Sequence, residues 1–398
     1  MWLSDFRVVL PDQVLEHGSV RVEDGRIAEI IDTPCTEAAV VGTGLTLIPG
    51  LIDLHGDMLE REIEPRPGVP FPTDLALLEL DKRMAGAGIT TCYAALSFQW
   101  DPEDSKRSDK VTRAIINTVN DMREHLLVDT FIHARFEVTN AQVGGLLTEL
   151  LDAGKIHLVS IMDHTPGQGQ YKDVKKYIEF VTKWLGVTEE DLDPEFLMNR
   201  IQARIAKQQA RQWSWTVVED VMQIAKARNV PVASHDDDTQ EKVDHLAELG
   251  VSISEFPVTL EAAQAAKSHN MHVVMGAPNA HRAYSYSGNL SAIDAIKAGV
   301  VDTLAVDYLP AALLHAPFDI ADKGILSLPE AIKLVSQNPA DAVFLTDRGR
   351  IEVGKLADLA CVEVEPHRRV RGTLRHGQPI FWDASMAKRG TLTMIEQR

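Results

Sequence analysis

Residues 51–57 read LIDLHGD, a short β-type apolar run that closes on His55 and Asp57. Side chains two positions apart on a strand share a face, so these two polar groups leave the end of the run together. Seven more apolar, β-rich runs follow: ITTCYAAL from Ile89, TFIHARFEV from Thr130, HLVSIMDH from His157, VPVASHD from Val230, VSISEF from Val251, HVVMGAP from His272 and DTLAVDY from Asp302. Segments with helical patterning, such as DLALLELDKRMAGAG and SAIDAIKAGV, separate most of them. Eight strands alternating with helices predict an α/β fold, a distorted (β/α)8 TIM barrel, over residues 51–349.

Outside that range the pattern changes. The first fifty residues carry the short β-rich runs RVVL, SVRV and RIAEII, with Asp24-Gly25 as a hairpin signal between two of them. DRGRIEVGKLADLACVEV (347–364) and the rest of the chain return to short strands and turns. Residues 1–50 and 350–398 are therefore expected to form one small β-sandwich domain beside the barrel. The charged, helix-like stretch from Tyr171 to Gln212 reads as an insertion in the fourth strand-to-helix connection.

The 398 residues are 45% apolar and 25% charged, enough to bury a large core. A formal net charge of −18, from 58 acidic and 40 basic residues, argues against nucleic acid and anionic membrane surfaces as partners. No apolar run of about eighteen residues is available to span a membrane. Cys35, Cys92 and Cys361 are odd in number and far apart. They suit a reducing compartment, and a cytoplasmic location is expected.

The chemistry lies where polar residues interrupt the apolar runs. In a parallel barrel, catalytic groups sit at the carboxyl ends of the strands. His55 and Asp57 end the first run, His164 the fourth, His235 the fifth and Asp307 the eighth, while Glu137 lies late in the third. For Glu137 two readings stay open, a metal ligand or a salt-bridge partner of Arg135. A single His or Asp at a strand end is ordinarily a cap, but the whole set in strand order is not explained that way. Mixed imidazole and carboxylate ligands suit one or two divalent metals, zinc first, with manganese, iron or cobalt also possible. Such an ion lowers the pKa of a bound water toward neutrality. Asp307 is the candidate to accept and pass on the proton. His133 reads as structural, His157 opens its strand at the wrong end, and His245, His269 and His272 read as ordinary. Of the triplet Asp236, Asp237 and Asp238, one carboxylate is expected to fix His235 from behind.

Three longer motifs bear a resemblance. VGTGLTLIPGLIDLHGD (41–57), GVVDTLAVDY (299–308) and NPADAVFLTDRGRIEVGKLADLACVEV (338–364) are similar to the barrel entry, eighth strand and return to the β-domain of the amidohydrolase superfamily. Within it, HGDMLEREIEPRPGV (55–69), MDHTPGQGQY (162–171), ASHDDDT (233–239), SEFPVTLEAA (254–263), MGAPNAHR (275–282), SGN (287–289) and DYLPAALL (307–314) resemble the diphosphatase family of the carbon–phosphorus lyase pathway. Its members cleave α-D-ribose 1-methylphosphonate 5-triphosphate to the 5-phosphate and pyrophosphate. The resemblance implies His55, Asp57, His164, His235 and Asp307 as the metal shell and Glu137 as a bridging carboxylate.

A triphosphate needs cations and N–H donors around its oxygens. Arg66 and Arg282 are the candidate cations, and Asn279, Ser287 and Asn289 the neutral donors. The sequence departs from the family at Ala283, Tyr284 and Tyr286, where a Gly-Gly-Ser-His loop is usual, and at Gly169 and Phe71. These departures fall on the substrate side and leave the ligand set whole. The alternative reaction is hydrolysis of a C–N bond in a cyclic amide, N-acyl compound or base. A non-enzymatic scaffold would be expected to have lost ligands. The expected partner is a small phosphorylated molecule, in a homo-oligomeric enzyme.

Overall fold

The computed structural model describes residues 1–66, 68–98, 108–167, 169, 178, 199, 202–203, 205–206, 209–210, 212–285 and 288–390. The expected insertion at 171–212 and the loop residues Tyr286 and Ser287 lie wholly or almost wholly outside them.

The chain begins with β1 (Trp2–Val9), β2 (Val14–Glu23), β3 (Arg26–Ile31), β4 (Ala38–Val41) and β5 (Thr46–Pro49). The barrel strands follow: β6 (Leu51–Gly56), β7 (Ile89–Phe98), β8 (Asp129–Glu137), β9 (Leu158–Met162), β10 (Val232–His235), β11 (Ile253–Glu255), β12 (His272–Gly276) and β13 (Thr303–Ala305). The last three are β14 (Leu359–Glu363), β15 (Arg369–Arg375) and β16 (Gln378–Trp382).

Strands β6 to β13 form one sheet in sequence order, each parallel to its neighbour. Parallel neighbours need crossovers, and helices supply them, among them Thr73–Gly86, Asp109–Met122, Gly144–Asp152, Trp215–Arg228 and Pro310–Asp322. The ring closes where Gly56 bridges Asp307, with Asp57 N–H donating to Asp307 O and Asp307 N–H to His55 O, both at 2.8 Å. All eight barrel runs read from the sequence are strands, and they form the expected barrel.

The runs are apolar because these strands are covered on both faces. Leu51, Cys92, Ala134, Val159, Val232 and Val273 join the cluster that also holds the helix residues Leu80, Leu147, Val221 and Leu313. A separate cluster takes Ile52, Leu54, Tyr93, Leu158, Ala233, Ile253, Val274 and Ala305, with Phe131 packed against it, so every barrel strand contributes.

The two ends of the chain meet in a second sheet, ordered β16-β15-β14-β5-β1-β2-β3 with β4 beside β1. The Asp24-Gly25 hairpin forms as expected, both residues at positive φ (48° and 76°). Strand β5 pairs with β14 and then passes through Gly50 directly into β6. A side chain at Gly50 would lie 2.3 Å from Thr90 Oγ1, so only glycine lets the two sheets join this closely. Five barrel strands end on or one to two residues before a sequence-selected polar group (His55 and Asp57, Glu137, His164, His235, Asp307), which puts all of these groups at one end of the ring.

Candidate metal centre

At that end the side chains organise around two carboxylates. The first is Glu255, the last residue of β11, fully buried. Its Oε2 lies 3.2 Å from His55 Nδ1, 3.4 Å from His235 Nδ1 and 3.8 Å from His133 Nε2, and it accepts a 2.8 Å bond from Ser160 Oγ. The second is Asp236, held at φ 53° just after β10. Its Oδ2 lies 3.6 Å from His164 Nε2 and 3.7 Å from His235 Nε2. The rings of His55 and His235 stack at 5.3 Å, which sets the two groups side by side. His55, His133 and Glu255 form one triad and His164, His235 and Asp236 another, each with ligand atoms within 4.8 Å of one another.

The donor set fits divalent metal. Among the described residues, neither Glu255 Oε1 nor Asp236 Oδ2, both buried, has a hydrogen-bond partner. A buried carboxylate oxygen left bare is costly unless a cation or proton completes it. Mixed nitrogen and oxygen ligands at this spacing are what zinc and its neighbours take.

The electrostatics follow from crowding. Burial works to lower the pKa of His55, but Glu255 and Asp57 beside it overrule that and push it up to about 10. His133 goes the other way, down to about 3, because burial outweighs its more distant carboxylate. Burial, with Asp57 nearby, raises Asp307 to about 6. Asp57 is held well below the usual carboxylate range: burial opposes this, but the guanidinium of Arg135, 2.7 Å away, and His55 outweigh it.

The sequence-selected residues fall as follows. His55, His235 and His164 enter the two triads. Asp57 adjoins the first, 3.4 Å from His55 Nε2. Asp307 sits on the seam of the barrel against His55 and Asp57, also at positive φ (58°). Glu137 lies behind His164: Oε2 is 2.9 Å from His164 Nδ1 and Oε1 accepts the His164 backbone N–H at 3.0 Å. The carboxylate therefore orients the imidazole, the usual service of a carboxylate to a ligating histidine. Among the described residues Arg135 pairs with Asp57 and not with Glu137. Three members of the triads carried no ligand role in the sequence reading. From the sequence, His133 reads as structural, the support of His235 is left to one of Asp236, Asp237 and Asp238, and nothing is selected at Glu255, next to last in the sixth apolar run. An acid at the carboxyl end of a barrel strand was the available signal.

The substrate candidates lie farther out. Arg66 is exposed on a turn closed by a bridge to Val69. Arg282 donates to Tyr308 Oη at 2.6 Å and sits over the Tyr284 ring at 5.4 Å, next to Asp307 in sequence through Tyr308. Asn279 braces the loop that follows it, its side chain bonded to Leu290 O and the Ala292 N–H, both at 3.1 Å. Asn289 is half-buried in that loop, and Ser287 lies outside the described residues. Gly169 has φ 54°; its N–H donates to Asp238 Oδ2 at 3.1 Å, and a Cβ would come within 3.2 Å of Asp236 O. A larger residue would be strained there, which accounts for glycine at this departure.

Fold and donor set together define a metal-dependent barrel hydrolase, and comparison with known proteins agrees. Residues 82–380 match the Amidohydrolase family, and the chain belongs to that family. It is 34% identical over 387 residues, 96% of this chain and all of the relative, to the alpha-D-ribose 1-methylphosphonate 5-triphosphate diphosphatase of Escherichia coli K12. It is also 23% identical to a dihydroorotase of Geobacter sulfurreducens, over 87% of this chain and 86% of that one. Among solved structures, the beta-aspartyl dipeptidase of Fervidobacterium islandicum AW-1 superposes with a TM-score of 0.61 at 16% identity, covering 100% of this chain and 99% of that one.

Proposed function

We propose that this enzyme is a metal-dependent diphosphatase that hydrolyses α-D-ribose 1-methylphosphonate 5-triphosphate to the 5-phosphate and pyrophosphate. The near-complete alignment with the Escherichia coli diphosphatase carries this reading, because it extends through every strand that bears a candidate ligand. We propose zinc as the metal, held by His55, Asp57, His164, His235 and Asp307 with Glu255, Asp236 and His133 drawn in, and Glu137 orienting His164. When bound, the metal supplies a lowered water pKa and electrophilic assistance at phosphorus. The chain's own groups do the rest. Asp307, buried beside Asp57, takes the proton of the attacking water and delivers it to the leaving oxygen. Arg66, Arg282, Asn279, Ser287 and Asn289 are the proposed contacts to phosphate.

The finer points of the same reading are a chain dividing near residues 50 and 350, a cytoplasmic location and a homo-oligomer. The passage from β5 to β6 at Gly50 supports the division. The three unpaired cysteines support a reducing compartment. The neighbouring exposed apolar residues Val69, Phe71, Leu75 and Leu78 support self-association, which sedimentation velocity tests.

The deciding experiment incubates metal-loaded enzyme separately with the ribose phosphonate triphosphate, ATP, N-acyl amino acids and cyclic amides. Pyrophosphate is followed by phosphorus NMR, and amine or ammonia release by chemical assay. Pyrophosphate from the phosphonate alone is expected. Amine or ammonia release without pyrophosphate would replace this reading with C–N bond hydrolysis.

A further inference from the structure

The ligands and phosphate contacts named above leave one deeply placed cation without a role. Arg135 lies on β8 between His133 and Glu137, two residues from each, so strand alternation sends all three side chains to one face. Its side chain is only 16% exposed. Nη1 donates to Asp57 Oδ1 at 2.7 Å, and Nε faces Met162 Sδ at 3.4 Å, a weak acceptor. A guanidinium has five N–H donors in a fixed fork. Among the described residues, Arg135 makes one strong bond with them.

Its surroundings are one-sided. Burial tends to lower its pKa, and Asp57, Glu60, Glu255 and Asp236 together raise it instead. A polyphosphate entering this ring of carboxylates on a chain of net charge −18 meets repulsion from each of them. Arg66 and Arg282 are exposed and cannot offset it at the depth of the histidines. Arg135 can, because it alone among the described lysines and arginines is ion-paired with one of the sequence-selected metal ligands.

We propose that Arg135 is a catalytic residue that grips the non-bridging oxygens of the phosphorus under attack and holds them as charge builds there. This rests on the diphosphatase reading. In the step it serves, the oxygen of water bonds to the α-phosphorus. The P–O bond to the departing pyrophosphate breaks, and its electron pair stays on the pyrophosphate oxygen. One proton of the water passes through Asp307 to that oxygen; the other stays with the product phosphate. The planar fork suits two phosphoryl oxygens at once, which a lysine ammonium does not reproduce.

The test uses the metal-loaded enzyme with Arg135→Gln, Arg135→Lys and Arg135→Ala. Pyrophosphate release is expected to fall about 100-fold or more in Arg135→Gln, the loss typical of removing one transition-state donor. Bound metal should stay at the wild-type level by elemental analysis. Affinity for the 5-phosphate product, which keeps the phosphorus under attack, should weaken at least about 10-fold by calorimetry. Added guanidinium should partly restore Arg135→Ala, and Arg135→Lys should remain impaired. Turnover within about threefold of wild type in Arg135→Gln overturns the proposal. So does lost turnover accompanied by lost metal and unchanged affinity for the 5-phosphate product, which would make Arg135 a support for Asp57 only. If wild-type enzyme releases no pyrophosphate from the phosphonate, the diphosphatase reading itself fails, a result separate from any comparison among the variants.

Discussion

At the scale of single residues, the site turns on which groups share a carboxylate. Glu255 contacts His55, His133 and His235 through one oxygen and leaves the other bare. Replacing it by glutamine keeps the shape but removes the charge that holds three imidazoles. Glu255→Gln is therefore expected to lower metal affinity about 10- to 100-fold, measured by competition with a chromogenic chelator. Unchanged affinity would show that Glu255 neither binds nor steers a ligand. Asp307→Asn makes the complementary case. Asparagine still offers an oxygen but takes no proton, so turnover should be abolished while the fold and much of the metal remain. Wild-type rates in that variant would exclude Asp307 as the proton carrier. That His55, His164, His235 and Asp307 gather at one end of the barrel was legible because each lies at the end of an apolar run, in strand order. The contacts that Glu255, Asp236 and Arg135 make were not, because they join different strands, and cross-strand register is not written in any one strand.

At the scale of elements, the eight barrel strands were legible because burial on both faces leaves each an unbroken apolar run. The entry to β9 shows how a strand is also fixed from its start. His157 Nδ1 accepts the Ile132 N–H of β8 at 3.2 Å, and Arg123 lies 3.1 Å from Nε2. Burial, with Arg123 adding to it, lowers the His157 pKa from 6.5 to about 4. The folded state thus binds this proton less readily than the unfolded chain. Stability from neutral His157 is fully present above about pH 6.5 and is lost as the pH falls from there toward about 4. Thermal melts across that window should show wild type losing Tm more steeply than His157→Gln. Parallel curves would remove His157 as the cause. Its exclusion from the catalytic set agrees with the position observed, at the end of the barrel opposite the triads.

At the scale of the whole molecule, barrel and terminal sheet are tied by a charge network at the starts of the strands. Arg348, 8% exposed, donates to Thr91 Oγ1 of β7 at 3.0 Å and to Asp129 of β8. It also lies 3.0 Å from Asp347 and 3.7 Å from Asp358, just before β14, while Arg375 of β15 reaches Asp129 at 3.2 Å. Removing the central cation leaves the buried Asp358 and the partly buried Asp129 without their shared partner. Arg348→Met should cost about 3–5 kcal/mol in urea unfolding, the usual penalty for breaking one side of a buried pair. A loss under about 1 kcal/mol would mark the network as surface-like. The sequence indicated that both ends of the chain return to strands. It did not indicate that β5 pairs with β14, because that contact joins segments some three hundred positions apart, and no local pattern records it.

The closing contact of the ring, where Gly56 meets Asp307, has a consequence for biosynthesis. The Val306 N–H donates to Asp53 Oδ1 across 253 positions of chain, one residue from the seam itself. A nascent polypeptide can carry seven docked strands and still lack the last wall of its catalytic cup. Until β13 leaves the ribosome and pairs with β6, both triads have their residues but His55 and Asp57 lack Asp307 beside them on the seam. Full-strength cation capture is therefore expected to wait for that last pairing. In stopped-flow refolding, uptake of zinc reported by a fluorescent indicator should lag the appearance of helical circular dichroism, and deletion of residues from 300 onward should weaken the uptake while leaving much of the early ellipticity.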